Sequence, residues 1–200
     1  MSIDQAQLSQ PSRARRLKAE TEEIHDRLDR SIMAAASFTS LEGYARFLRV
    51  QYLFHRDIAA LYEDAGLQAL FPGLAQRQRL ALIEADLADL ESPLPEGEGA
   101  LSFAPGEVVD MPTALGWLYV AEGSNMGAAL LRKEAAKLGL SDDRGARHLA
   151  PTPEGPAAHW RAFTAMLDAV PLSAEEEGRA VAGARAAFAR VQSHADACLG

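Results

Sequence analysis

Apolar residues recur at helical spacing along almost the whole chain, and no stretch alternates as a half-buried strand would. Leu17, Thr21, Ile24, Leu28 and Ile32 fall on one stripe at about 100° per residue. They predict a first helix from Pro11 to Ala35, with Pro11 in the first turn, where its missing N–H is no loss. FTSLEGYARFLRVQYLFHRDIAALYEDAG predicts a second helix, stopped near Gly66. After a turn at Pro72-Gly73, a third long helix follows through the stretch ending LADLE. SPLPEGEGALSFAPGEVVDMP is too rich in proline and glycine for regular structure. Asp110 then suits the N-cap of a helix with Pro112 in its first turn and Gly139 at its end. SDDRGARHLAPTPEGP reads as a second loop, and EGPAAHWRAFTAMLDAV as a further helix. Ser173 and Glu176 have capping-box spacing at the head of the last helix. The expectation is an all-α fold in a single domain over residues 1–200, with residues 1–10 flexible.

The helix expected from Asp110 to Gly139 carries Gly116, Gly123 and Gly127 in its interior. Each costs about 1 kcal/mol relative to alanine. Their spacing returns to one side of a helix, so the three gaps predict one groove. Such a groove admits either a neighbouring helix or a flat ligand against bare backbone. The Gly123-Ser124 pair is also a natural bend point, and Ser124 and Asn125 add polar groups beside it.

His25 lies at the edge of the first helix's apolar stripe. It reads either as a core histidine bonded to a carbonyl or as a neutral imidazole ligand for a metal. His55, His148, His159 and His194 stand at no two-histidine metal spacing. Glu22 and His25 have the Glu-x-x-His spacing of di-iron bundles, but no second such pair is present.

The net charge of −8 argues against nucleic acid as a partner, and no apolar run approaches the ~20 residues of a membrane span. The N-terminal stretch lacks a signal-peptide core, and the single cysteine, Cys198, excludes an internal disulfide framework. A cytoplasmic location is expected. The basic stretch SRARRLK reads as a solvent-facing patch, except that Lys18 sits two turns before His25 on nearly the same face. Tyr119 precedes Gly123 by one turn and borders the groove.

An imidazole on one helix and a bare groove on another would together accept a planar metallated macrocycle. Here the sequence resembles the haem oxygenases, most closely the short bacterial type. LKAETEEIHDRLD is similar to the family's proximal helix, and LGWLYVAEGSNMGAALLRKEAAKLGL to its distal helix. RGARHLA at 144–150 and QYLFHRDIAALYEDAGLQALFPGLA resemble further segments, in the right order from about Leu17 to Phe188.

The resemblance implies an all-α helical bundle with haem between the proximal and distal helices, and His25 as the axial iron ligand. It puts Gly123 and Gly127 over the haem, Lys18 and Arg161 on its propionates and Phe188 against its face. Many eukaryotic members have an aspartate where this chain has Ser124; the short bacterial enzymes lack it and use a water network. Ser124 is therefore assigned hydrogen bonding only. Asn125 is a further candidate whose orientation is open. The implied reaction cleaves haem, substrate and cofactor at once, to a biliverdin, carbon monoxide and iron. It needs O2 and an external electron donor such as a ferredoxin or flavin reductase, since no dinucleotide-binding motif is present. A monomer is expected. The alternatives are a haem carrier that does not turn its ligand over and a related di-iron or thiamin-degrading bundle.

Overall fold

The structure is a computed structural model that describes residues 12–35, 38–97 and 99–199. Pro11 and the segment expected to be flexible, residues 1–10, lie outside the described residues. The helices are α1 (Arg13–Ala35), α2 (Leu41–Asp57), α3 (Ala59–Glu63), α4 (Ala65–Leu70), α5 (Leu80–Asp89), α6 (Met111–Ser124), α7 (Ala128–Lys137), α8 (Pro156–Ala169) and α9 (Ala174–Leu199). Two 3-10 turns, Ala75–Arg77 and Arg147–Leu149, complete the elements, and no strand occurs among the described residues.

Three boundaries depart from the periodicity. The expected second helix is capped by Ser40, breaks at Ile58 and again at Asp64, whose side chain accepts from Leu67 N–H at 2.8 Å. Gly66 therefore sits inside α4 rather than ending a helix. The helix expected from Asp110 to Gly139 is two helices, parted at residues 125–127. Two expected N-terminal caps form. Asp110 accepts from Thr113 N–H, and Ser173 and Glu176 exchange reciprocal bonds at 2.7 and 3.3 Å.

Helix α9 is the spine, packed along α6, α1 and α2. Its approach to α6 depends on two glycines. A Cβ on Gly116 would collide with the Ala180 carbonyl oxygen and lie 2.5 Å from Ala184 N; one on Gly183 would collide with the Thr113 carbonyl. Both obstacles are backbone and cannot turn aside. Gly116 is therefore a helix-crossing residue, not part of one groove with Gly123 and Gly127.

One core cluster joins α1, α6, α8 and α9 through Leu17, Leu115, Leu118, Phe163 and Phe188. Another joins α2 and α5 through Tyr44, Leu48, Ile83 and Leu87. Arg13, expected on a solvent-facing patch, is 5% exposed instead. Its guanidinium grips both Glu177 carboxylate oxygens, at 2.8 and 3.1 Å, and donates to the Leu167 and Val170 carbonyls. Four bonds to fixed acceptors suit an arginine fork and explain how it can be buried.

Four histidines are buried: His55, His148, His159 and His194. His194 meets Asp57 at 2.8 Å and His148 meets Asp86 at 2.8 Å. His55 differs, because its buried Nδ1 has no hydrogen-bond partner. Burial, followed by the nearby His148 and Arg79, lowers its pKa to about 3. The folded chain thus resists a proton that the unfolded chain accepts near 6.5. Stability should be full above pH 6.5 and decline as pH falls from 6.5 towards 3. His55→Gln is expected to shallow that decline in urea titrations at pH 7 and pH 4.5. An acid decline identical to the parent's would remove His55 as its cause.

Candidate haem site

His25 is the odd histidine. It projects from the middle of α1 with its side chain 54% exposed. Its Nδ1 lies 3.4 Å from Asp26 Oδ1 and its Nε2 3.6 Å from Asp29 Oδ2, the latter too long for a hydrogen bond. The core reading of His25 therefore fails: no carbonyl holds the ring. Phe188 of α9 meets the imidazole edge-on at 5.8 Å between centroids, and is itself buried. The ring is steered by an aromatic wall while about half of the side chain remains exposed.

The GSNMG stretch is where α6 gives way to α7. Three bonds of the tighter i→i+3 kind bridge the gap, from Met126 N to Gly123 O, Gly127 N to Ser124 O and Ala128 N to Asn125 O, at 3.0–3.3 Å. The main chain at Gly127 is exposed, and a Cβ there would meet only Ser124 O, at 3.6 Å. At Gly123 a Cβ would touch the Trp160 ring at 3.5 Å. Trp160 also packs on Tyr119, with ring centroids 5.4 Å apart. Tyr119 is buried, and burial raises its phenol pKa. Ser124 spends its hydroxyl proton on the Ala121 carbonyl at 2.7 Å, so its oxygen is left as an acceptor.

Large apolar side chains stand exposed on both sides: Met33 on α1, Met126 in the turn and Leu130 on α7. Lys18 on α1 and Arg161 on α8 are exposed, neither tied to a carboxylate among the described residues, and α1 and α8 pack together. A half-free imidazole, a stretch of uncovered main chain, apolar walls and two available cations make a donor set that suits an amphiphilic tetrapyrrole with carboxylate tails. Asn125 lines a cavity of about 470 Å³ that also touches Ala128, Arg132, Arg79 and His159.

The periodicity gave no warning of a buried carboxylate beside the turn. Glu122, 1% exposed, accepts from Tyr62 Oη at 3.1 Å, Arg77 Nη1 at 2.8 Å and His159 Nε2 at 3.2 Å. A signal existed: Glu122 is the only charged residue of α6, in a helix buried from Ala114 to Glu122, so it had to be paired. Among the described residues no group of three or more His, Cys, Asp or Glu could hold a metal ion, which leaves the Glu22-His25 spacing without partners. No described helix is long and apolar enough to cross a membrane.

An all-α bundle in which such an imidazole rides one helix and a glycine break interrupts another is the architecture of haem-degrading enzymes, and the chain belongs to the haem oxygenase family, whose model, described as Heme oxygenase, matches residues 12–194. Its curated relative Heme oxygenase PigA of Pseudomonas aeruginosa is 46% identical over 178 residues, spanning 89% of this chain and 88% of that one. The solved heme oxygenase of Neisseria meningitidis, in NO- and CO-bound form, superposes with a TM-score of 0.88 at 41% identity, covering 96% and 94% of the two chains. Heme oxygenase 2 of Chlamydomonas reinhardtii, without heme, shares the fold at 18% identity and a TM-score of 0.71 over 95% and 99% of the chains.

Proposed function

We propose that His25 is the axial ligand of haem and that the Gly123–Gly127 turn forms the opposite wall of its slot, in a single haem oxygenase domain. The protein degrades haem oxidatively to biliverdin, carbon monoxide and iron, with O2 and electrons from outside, as its family membership implies. The observation that carries the site reading is the contrast among histidines: four are buried, while His25 alone of the five keeps a half-exposed ring. When bound, haem supplies the iron at which oxygen is activated and is itself the molecule cut.

The chain's own residues then divide the work. Phe188 orients the His25 ring and offers an apolar face. Gly127 lets main chain approach the ligand where any side chain would stand in the way. Tyr119 and Trp160 brace Gly123 from behind. Ser124 holds water through its acceptor lone pairs, having no proton to spare. Lys18 and Arg161 pair with propionates at the rim, Arg161 by a two-pronged bond that a lysine cannot make. Asn125, which also borders a cavity lined by Ala128 and Arg132, adds a polar side chain to the turn. The electron donor is a ferredoxin or flavin reductase, and the enzyme works as a cytoplasmic monomer.

Hemin, a reductase and oxygen supplied together should convert the Soret band into a biliverdin spectrum, with the pigment identified by chromatography. Gly127→Leu, which projects a branched side chain into the slot, should weaken hemin binding by roughly tenfold or more. A stable Soret band in the parent under these conditions would mark a carrier. Undiminished binding by the leucine variant would clear the turn of contact.

A further inference from the structure

A buried carboxylate held by three donors lies not in the slot but directly upstream of it. Glu122 lies one residue before Gly123 and receives donors from three other elements: Tyr62 of α3, Arg77 of the first 3-10 turn and His159 of α8. The next residue of α8, Trp160, is the one whose ring faces Gly123, 3.5 Å from where a Cβ would stand. Two consecutive residues of α8 therefore seize two consecutive residues of α6, by charge and by an aromatic edge, just where the helix ends. Main chain at a helix break lacks its i→i−4 bonds and has little stiffness of its own. Here the stiffness comes from an adjacent buried carboxylate held by donors on both of its oxygens.

We propose that Glu122 is a positioning residue for haem cleavage, acting through the Gly123–Gly127 main chain, whose distance from the bound haem it fixes. The proposal rests on the reading of that turn as a wall of the slot.

The clamp also contains its own adjustment. His159 Nε2 lies 3.2 Å from Glu122 Oε2 and 2.6 Å from Arg77 Nη1, while Nδ1 lies 3.1 Å from Glu154 Oε1. A charged imidazole donates to both carboxylates. A neutral one protonated at Nδ1 turns Nε2 into an acceptor for Arg77, and Glu122 loses one of its three donors. The bond to Glu122 is the largest influence and raises the His159 pKa, against burial and Arg77. The charged groups around the clamp are Glu122, Glu154, Arg77 and Arg79, with Arg132, Lys133, Asp142 and Asp143 facing it across the cavity. Because the folded pKa is raised, the charged clamp is complete at and below pH 6.5 and loosens as pH rises through the folded value.

The test compares Glu122→Gln, Tyr62→Phe and His159→Gln with the parent in hemin titration, single-turnover biliverdin formation and the C–O stretching frequency of the ferrous carbonyl complex. Hemin affinity should stay within about threefold, because no slot contact is removed. Turnover should fall roughly tenfold in Glu122→Gln, the scale of one lost charge-assisted bond, and the C–O stretch should shift or broaden as the turn moves. Tyr62→Phe, which deletes one hydroxyl and no charge, should show the same change in smaller measure, and it decides the matter alone if Glu122→Gln does not fold. The parent's rate should decline as pH rises above 6.5, and His159→Gln should flatten that limb. Variants that melt earlier yet keep the parent's rate, C–O stretch and pH profile would reduce Glu122 to a stability element and overturn the proposal. Failure of the parent itself to bind hemin would instead remove the reading of the slot.

Discussion

His25→Ala is expected to lower haem turnover by at least roughly a hundredfold, about 2.7 kcal/mol in the barrier, while leaving the fold unchanged. The second half follows from exposure: the ring has no hydrogen-bonded role in the core, and its loss removes only the edge contact with Phe188 and two weak approaches to Asp26 and Asp29. The first half follows from coordination, since an alanine leaves the iron without its protein ligand. The absorption spectrum of the hemin complex should lose the signature of imidazole ligation, and added imidazole should restore part of both spectrum and rate. A variant with the parent's Soret maximum and rate would show that another residue holds the iron, although the other four histidines are all buried.

The largest stability effect is expected far from the ligand. Gly116→Ala and Gly183→Ala each put a methyl group into the backbone of the facing helix where α6 crosses α9. No rotamer relieves a Cβ, so the helices must separate along their main contact. The cost should be about 3 kcal/mol or more, a fall in Tm of roughly 6–12 °C for a chain of this length. Gly123→Ala makes a useful contrast, because its methyl group would meet the Trp160 ring at an ordinary 3.5 Å. Thermal melts followed by circular dichroism measure all three. Equal melting of Gly116→Ala and the parent would mean that the crossing has slack not evident in its geometry.

These glycines also mark what the sequence could and could not disclose. Periodicity located the helices because an amphipathic stripe is written into neighbouring residues, and the caps at Asp110 and Ser173 were legible for the same reason. The common phase of Gly116, Gly123 and Gly127 was real but misleading. A helix side has length, and α9 covers it at one end while the break at residues 125–127 twists the other end away. Neither the neighbour nor the break is encoded locally. His25 could be singled out because an imidazole at the edge of a stripe is conspicuous, but only burial separated it from the other four. Glu122 escaped because its partners lie 60, 45 and 37 residues away. Arg13 escaped for a similar reason, its acceptors being 154 to 164 positions distant.

The burial of Arg13 reverses the usual mechanics of a terminal helix. A first helix ordinarily frays from its beginning, but α1 is bolted there to the end of α8 and the start of α9. Its far end is more open: Asp29, Arg30 and Met33 face water, although Ile32 packs on the core and Gln192 donates to Ser31 at 3.3 Å. His25 rides about 18 Å from the bolted root, at 1.5 Å per residue. The height of that ring along the bundle is thus set by an arginine that never comes near it.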